Sequence, residues 1–128
     1  GLDSVRCIRD YFQERAIDLG EFGPDQALVR DADGRTGAQA PRLMRRGEEE
    51  FIAYHPNAAA DERAAEVDAT RAARLQVDLR AGTGQFAVEW YRAVDGESQD
   101  GGEVGAGDWR ELIAPWVGAD VVVRLVRR

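Results

Sequence analysis

Hydrophobic and polar residues alternate one by one through "RLQVDLR": Leu75, Val77 and Leu79 share one side, and Gln76, Asp78 and Arg80 the other. A repeat of two is the side-chain period of a strand, so the segment predicts a β-strand with one buried face. The same repeat runs through "FAVEWYR", where Phe86, Val88 and Trp90 oppose Ala87, Glu89 and Tyr91. Trp90 is therefore expected in the core and Tyr91 on the surface, because Glu89 shares the Tyr91 side and burying a carboxylate is costly. "RLMRR" and "EEFIAYHP" read as two strands of a hairpin turning at Gly47. "RELIAP" reads as a strand stopped by Pro115, and "DVVVRLVRR" as a β-branched terminal strand with Val121, Val123 and Leu125 on one face. The Gly- and acid-rich "GESQDGGEVGAGDW" has room for one short edge strand.

The first part of the chain follows a different period. In "DSVRCIRDYFQERAIDLG", Val5, Ile8, Phe12 and Leu19 trace one stripe at helical spacing. Asp3 or Ser4 can cap the start of this helix and Gly20 its end. Pro24 in "GPDQALV" is placed to begin a short helical turn, and "RDADGRTGAQAP" reads as a loop. One later segment breaks the strand rhythm. "NAAADERAAEVDATRAAR" (57–74) has helix-forming composition, but its apolar residues are nearly all Ala, too small to hold a helix on a core. It reads as an inserted, exposed loop.

The expected fold class is mostly β: an antiparallel β-sandwich of about seven strands with an N-terminal helix. At 128 residues the chain is expected to be a single domain, with residues 1–24 a helical lead-in and the strands in 42–128. A net charge of −7 argues against nucleic acid and anionic membranes as partners, since both require a positive surface. One cysteine, Cys7, excludes an internal disulfide. No stretch approaches the length of a membrane span and no signal peptide is read, so the compartment is left open.

The candidate chemistry narrows quickly. One His (His55) and one Cys (Cys7) cannot assemble a zinc cluster, and no metal or cofactor is expected. "DADG" opens like a calcium loop, but Arg42 stands where the closing Glu would be, so Asp31, Asp33 and Gly34 read as a turn. A Ser-His-acid triad would need His55 with Ser4 or Ser98, and neither serine lies in a nucleophile elbow. His55 reads as structural or solvent-facing. The acids crowd loops and strand exteriors, as on a solvated surface, so no catalytic residue is assigned. The aromatic residues remain. Exposed rings can stack on sugars or on proline, and Tyr91, Trp109 and Trp116 are the candidate ligand contacts.

The segments "EEFIAYHP", "LQVDLRAGTGQFAVEWYRAVDGE", "GGEVGAG" and "IAPWVGADVVVRLV", in this order, resemble the collagen-binding-domain family of C-terminal β-sandwiches. The opening "LDSVRCIRDYF…FGPDQALV" is similar to the helix and Pro-Asp segment that lead into such domains. This chain departs from the pattern at Val94, where the family has Pro, and in the segment 57–74. The resemblance implies a non-catalytic module appended to a glycoside-hydrolase-like (β/α)-barrel. On that reading the domain packs on the catalytic barrel of the same parent chain, assists polysaccharide binding, and is a piece of a larger protein. The competing expectation is a free-standing module that binds collagen-like or other protein ligands; a third is a small enzyme using acids that cannot be paired by inspection. A domain taken from a barrel should expose a contiguous apolar patch, and a free-standing module an aromatic strip.

Overall fold

A computed structural model describes residues 12–13, 22–32, 34, 41–57, 71–92 and 95–128. Nine strands are present among them: β1 (Gly23–Pro24), β2 (Val29–Asp31), β3 (Arg42–Arg46), β4 (Glu50–His55), β5 (Ala72–Asp78), β6 (Gln85–Arg92), β7 (Ser98–Gly105), β8 (Trp109–Val117) and β9 (Val121–Arg127). Seven of the nine fall after residue 41, as the alternation predicts. Sheet A has six strands in the order β1-β3-β4-β9-β6-β7, and sheet B has three in the order β2-β5-β8. Every pairing is antiparallel.

The alternation places the core. Leu75, Val77, Phe86, Val88, Trp90, Val121, Val123 and Leu125 lie in one buried cluster between the sheets. Phe51 and Phe86 meet edge to face in it, with ring centroids 5.6 Å apart. That geometry sets the positive edge of one ring against the negative face of the other. The hairpin turns at Gly47 with φ of 55°, a left-handed conformation that glycine adopts without penalty.

Three expectations are corrected. Tyr91 is not on the surface: it is 3% exposed. One end of sheet A is covered on its outer side as well, where Tyr91, Ile52 and Val122 form a second buried cluster packed against Phe12, Phe22 and Tyr54. Glu89 does not prevent this, because its cross-strand neighbour is Arg124, and the outer face divides into an apolar end and a charged end. Pro115 does not stop a strand either. It lies inside β8, an edge strand of sheet B, opposite a register shift between Ala72 and Arg74. An edge strand tolerates a residue without an N–H, because half of its backbone groups face no partner. The segment 57–74 is shorter at its end than expected, since Ala72–Asp78 is strand β5. Asp31, 3% exposed, ends β2 and also opens the expected turn, its carbonyl accepting the Gly34 N–H at 3.1 Å.

Pro24 does precede a short helical turn, a 3-10 turn over Gln26–Leu28. Of the expected N-terminal helix, Phe12 and Gln13 are described, and both are α-helical. The rest of that helix and most of the segment 57–74 lie outside the described residues.

β7 carries a bulge where Gly101 is left unpaired between Gly102, opposite Val88, and Asp100, opposite Glu89. A Cβ at Gly101 would sit 2.7 Å from Trp90 Nε1 and 2.7 Å from Val88 Cγ1. Both side chains are in the core, so Gly101→Ala should displace them at a cost of about 1–3 kcal/mol. Urea denaturation checks this; a loss within 0.5 kcal/mol would mean that the Trp90 side of the core yields freely.

Candidate functional site

The three aromatic candidates are not brought together. Tyr91 lies under the cover of sheet A. Trp109 and Trp116 stand at opposite ends of β8, about 23 Å apart at strand rise, and seven residues of separation put them on opposite faces. Trp109 is half-buried on the outer face of sheet B. The Arg30 guanidinium lies 4.1 Å from its ring centroid and that of Arg80 5.7 Å. Asp78 holds Arg80 in place through two hydrogen bonds of 3.0 and 2.8 Å. Those bonds keep the Asp78 carboxyl below the usual carboxylate range. Trp116 packs against the core, with Arg92 over its ring at 5.2 Å. Arg92 in turn is bound by Asp95 and Glu97, and its hydrogen bond holds Asp95 below its ordinary range. Both indoles are thus met by arginines rather than standing bare as a stacking platform.

The chemistry-bearing side chains that do converge are buried. His55, at the end of β4, is fully buried. Its Nδ1 accepts the Asn57 backbone N–H at 2.8 Å, so its Nε2 carries the proton and donates to Asp31 Oδ1 at 2.7 Å. Arg71 donates to the same oxygen at 3.0 Å. Asn57 has φ of 48°, which Asn tolerates better than most residues. Its amide donates to the carbonyls of Arg71 and Ala119, and its side-chain oxygen accepts from Arg71 Nε at 3.0 Å. Nearby, the Tyr54 hydroxyl donates to Asp120 at 2.9 Å, and burial with that carboxylate raises its pKa well above the ordinary phenol value. This network ties β4 of sheet A to β2 and β5 of sheet B. Because its bonds run from one sheet to the other, it acts as a clasp between them. The sequence left His55 as structural or solvent-facing, and its burial decides for the first; its partner Asp31 was not legible.

Among the described residues no group of three His, Cys, Asp or Glu side chains could hold a metal ion. No helix among them is long and apolar enough to cross a membrane.

The outer face of β8 has a different character. Along β8, Leu112 and Ala114 are buried while Glu111, Ile113, Pro115 and Val117 are exposed. Ile113 is 54% and Val117 65% exposed, the exposed large hydrophobic residues of the described chain. Ala72 is the cross-strand neighbour of Val117, and Arg74 with Glu111, 4.0 Å apart, borders the patch. "ELIAPWV" carries this alternation in plain sight. What it lacks is any sign that the outward face is left uncovered.

The fold and these surfaces define an antiparallel β-sandwich with a clasped interior and, among the described residues, one bare apolar strip. No protein-family profile matches the chain, and no curated protein sequence does. Solved structures do. The chain is similar over 94% of its length to part of a glycoside hydrolase, at 17% identity and a TM-score of 0.65. It is similar over 99% of its length to part of a glycoside hydrolase family 5 protein from Bacteroides vulgatus ATCC 8482, at 18% identity and a TM-score of 0.69. In each case it spans 24% of the other chain. The likeness establishes the sandwich as a fold that occurs as about a quarter of longer chains.

Proposed function

We propose that this sandwich is a non-catalytic accessory domain of a glycoside-hydrolase-like protein, packed on the catalytic barrel of the same parent chain. The observation that carries the reading is the apolar strip Ile113–Pro115–Val117 in a fold that recurs as a quarter of glycoside hydrolase chains. The apolar end of sheet A is already occupied by Phe12 and Phe22, which leaves the β8 face as the uncovered apolar surface among the described residues. Burying Ile113 and Val117 would contribute about 1.5–3 kcal/mol each. Within one chain that is ample, because tethering raises the effective concentration of the two surfaces to the millimolar range. An aromatic strip, the mark of a free-standing module, has no support in the separated positions of Tyr91, Trp109 and Trp116.

The test uses the reading frame that encodes this chain together with its upstream sequence. In the 128-residue chain, Ile113→Arg with Val117→Arg should leave stability within about 0.5 kcal/mol, as exposed positions do. In the longer protein the same pair should expose the junction to limited proteolysis and lower the melting temperature of the barrel. The 128-residue chain should not turn over chromogenic glycosides, and the longer protein should. An upstream frame without a barrel, or a double variant that leaves the longer protein unchanged, would sink the reading.

A further inference from the structure

The charged end of the outer face of sheet A is built rather than scattered. Arg46 on β3 donates to Glu50 on β4 at 3.2 Å, and Arg124 on β9 donates to the other oxygen of Glu50 at 2.6 Å. Arg124 is in turn the cross-strand neighbour of Glu89 on β6. Arg124 and Glu89 form one wall of a groove of about 520 Å³, a size ordinary for a small-molecule site. Ala87 and Val126, cross-strand partners, give it an apolar floor. Ser98, Asp100 and Glu103 on β7 form the other wall, and Arg128 closes an end, paired with Glu103 at 3.1 Å.

The bulge in β7 borders the groove. The unpaired Gly101 and the left-handed Gly102 (φ 80°) kink the edge strand, and Asp100 accepts the Gly102 N–H at 2.7 Å. Bulges of this kind re-aim side chains beside binding sites.

We infer that this groove binds an uncharged, polyhydroxylated ligand: a short stretch of neutral polysaccharide. The inference deepens the accessory-domain reading and rests on it for the choice of ligand class. The groove's own chemistry points the same way. Both arginines already hold a carboxylate, Arg124 that of Glu50 and Arg128 that of Glu103. An anionic ligand would have to break those pairs and face three acids against two bases. Sugar hydroxyls both donate and accept, so they can bond to carboxylates and guanidinium groups while those pairs stay intact. The C–H face of a pyranose fits the Ala87–Val126 floor.

The 15N-labelled chain is titrated with cellohexaose, xylohexaose and mannohexaose, with oligogalacturonate as the anionic control and a (Pro-Pro-Gly)10 peptide as the protein control. Amide shifts confined to β6, β7 and β9 are expected with at least one neutral hexaose. Ala87→Phe, which fills the groove from an outward-facing position, should weaken binding at least tenfold. Should that variant not fold, Ser98→Ala with Glu103→Gln, at two exposed positions, should weaken it at least threefold with an unchanged melting temperature. No shift at millimolar hexaose, shifts centred on Trp109, preference for the anionic oligomer or the peptide, or unimpaired binding by the folded variants would overturn the inference. This result is independent of the barrel: binding without an upstream barrel would sink the accessory reading alone, and a coupled barrel without binding would sink the groove alone.

Discussion

Replacing Asp31 by Ala should cost the protein about 3–5 kcal/mol, the range for removing one partner of a buried ion pair. For a domain of this size that is a fall in melting temperature of roughly 10–20 °C. Asp31 Oδ1 is the point on which His55 Nε2 and Arg71 converge, at 2.7 and 3.0 Å. The side chains of Asp31 and His55 are both 0% exposed. Without the carboxylate, the buried imidazole keeps only the Arg74 carbonyl, at 3.1 Å, and the largely buried guanidinium loses a charged acceptor. The loss should not be confined to one contact, because Arg71 also holds Asn57 and Asn57 holds His55. A double-mutant cycle with His55→Ala should show coupling above about 1 kcal/mol. By contrast, Asp95→Ala removes an exposed partner of Arg92 and should cost no more than about 1 kcal/mol. Urea denaturation of the four variants decides the matter. A loss for Asp31→Ala as small as that for Asp95→Ala would show that the clasp does not hold the sheets together.

Trp90→Ala and Tyr91→Ala should be comparably damaging, each about 3–5 kcal/mol as a large aromatic removed from a packed site. The two residues are 4% and 3% exposed on opposite faces of β6. Trp90 lies in the cluster between the sheets, and Tyr91 in the cluster beneath Phe12 and Phe22. Read as a half-solvated strand, β6 would predict a large loss at Trp90 and almost none at Tyr91. Chemical denaturation of both variants therefore separates a sheet covered on one face from a sheet covered on two. A loss below about 1 kcal/mol at Tyr91 would mean that the outer cluster contributes little. In that case Tyr91 would return as a candidate ligand contact.

Much of the sandwich was legible because strand alternation is a local property. Leu75, Val77, Phe86, Val88, Trp90, Val121, Val123 and Leu125 declare their common side within a few residues of their own strands, and all eight are buried. The turn at Gly47 and the hairpin it closes are equally local. What lies over the second face of a strand is not. Tyr91 is buried by Phe12 and Phe22, some seventy residues earlier in the chain, and no periodicity in "FAVEWYR" reports that cover. The same limit hid the clasp, since an isolated His before Pro56 and an Asp in a Gly-rich stretch acquire meaning only when β2 and β4 are set side by side across 24 residues. It hid the groove too, whose walls come from three strands and which lies beside a one-residue bulge. The sequence by itself determined which residues form strands and which side of each faces the core, because side chains must alternate along an extended backbone. Only the tertiary structure decided which outward faces are covered, which charges meet and which apolar strip is left bare, because those depend on contacts between segments far apart in the chain.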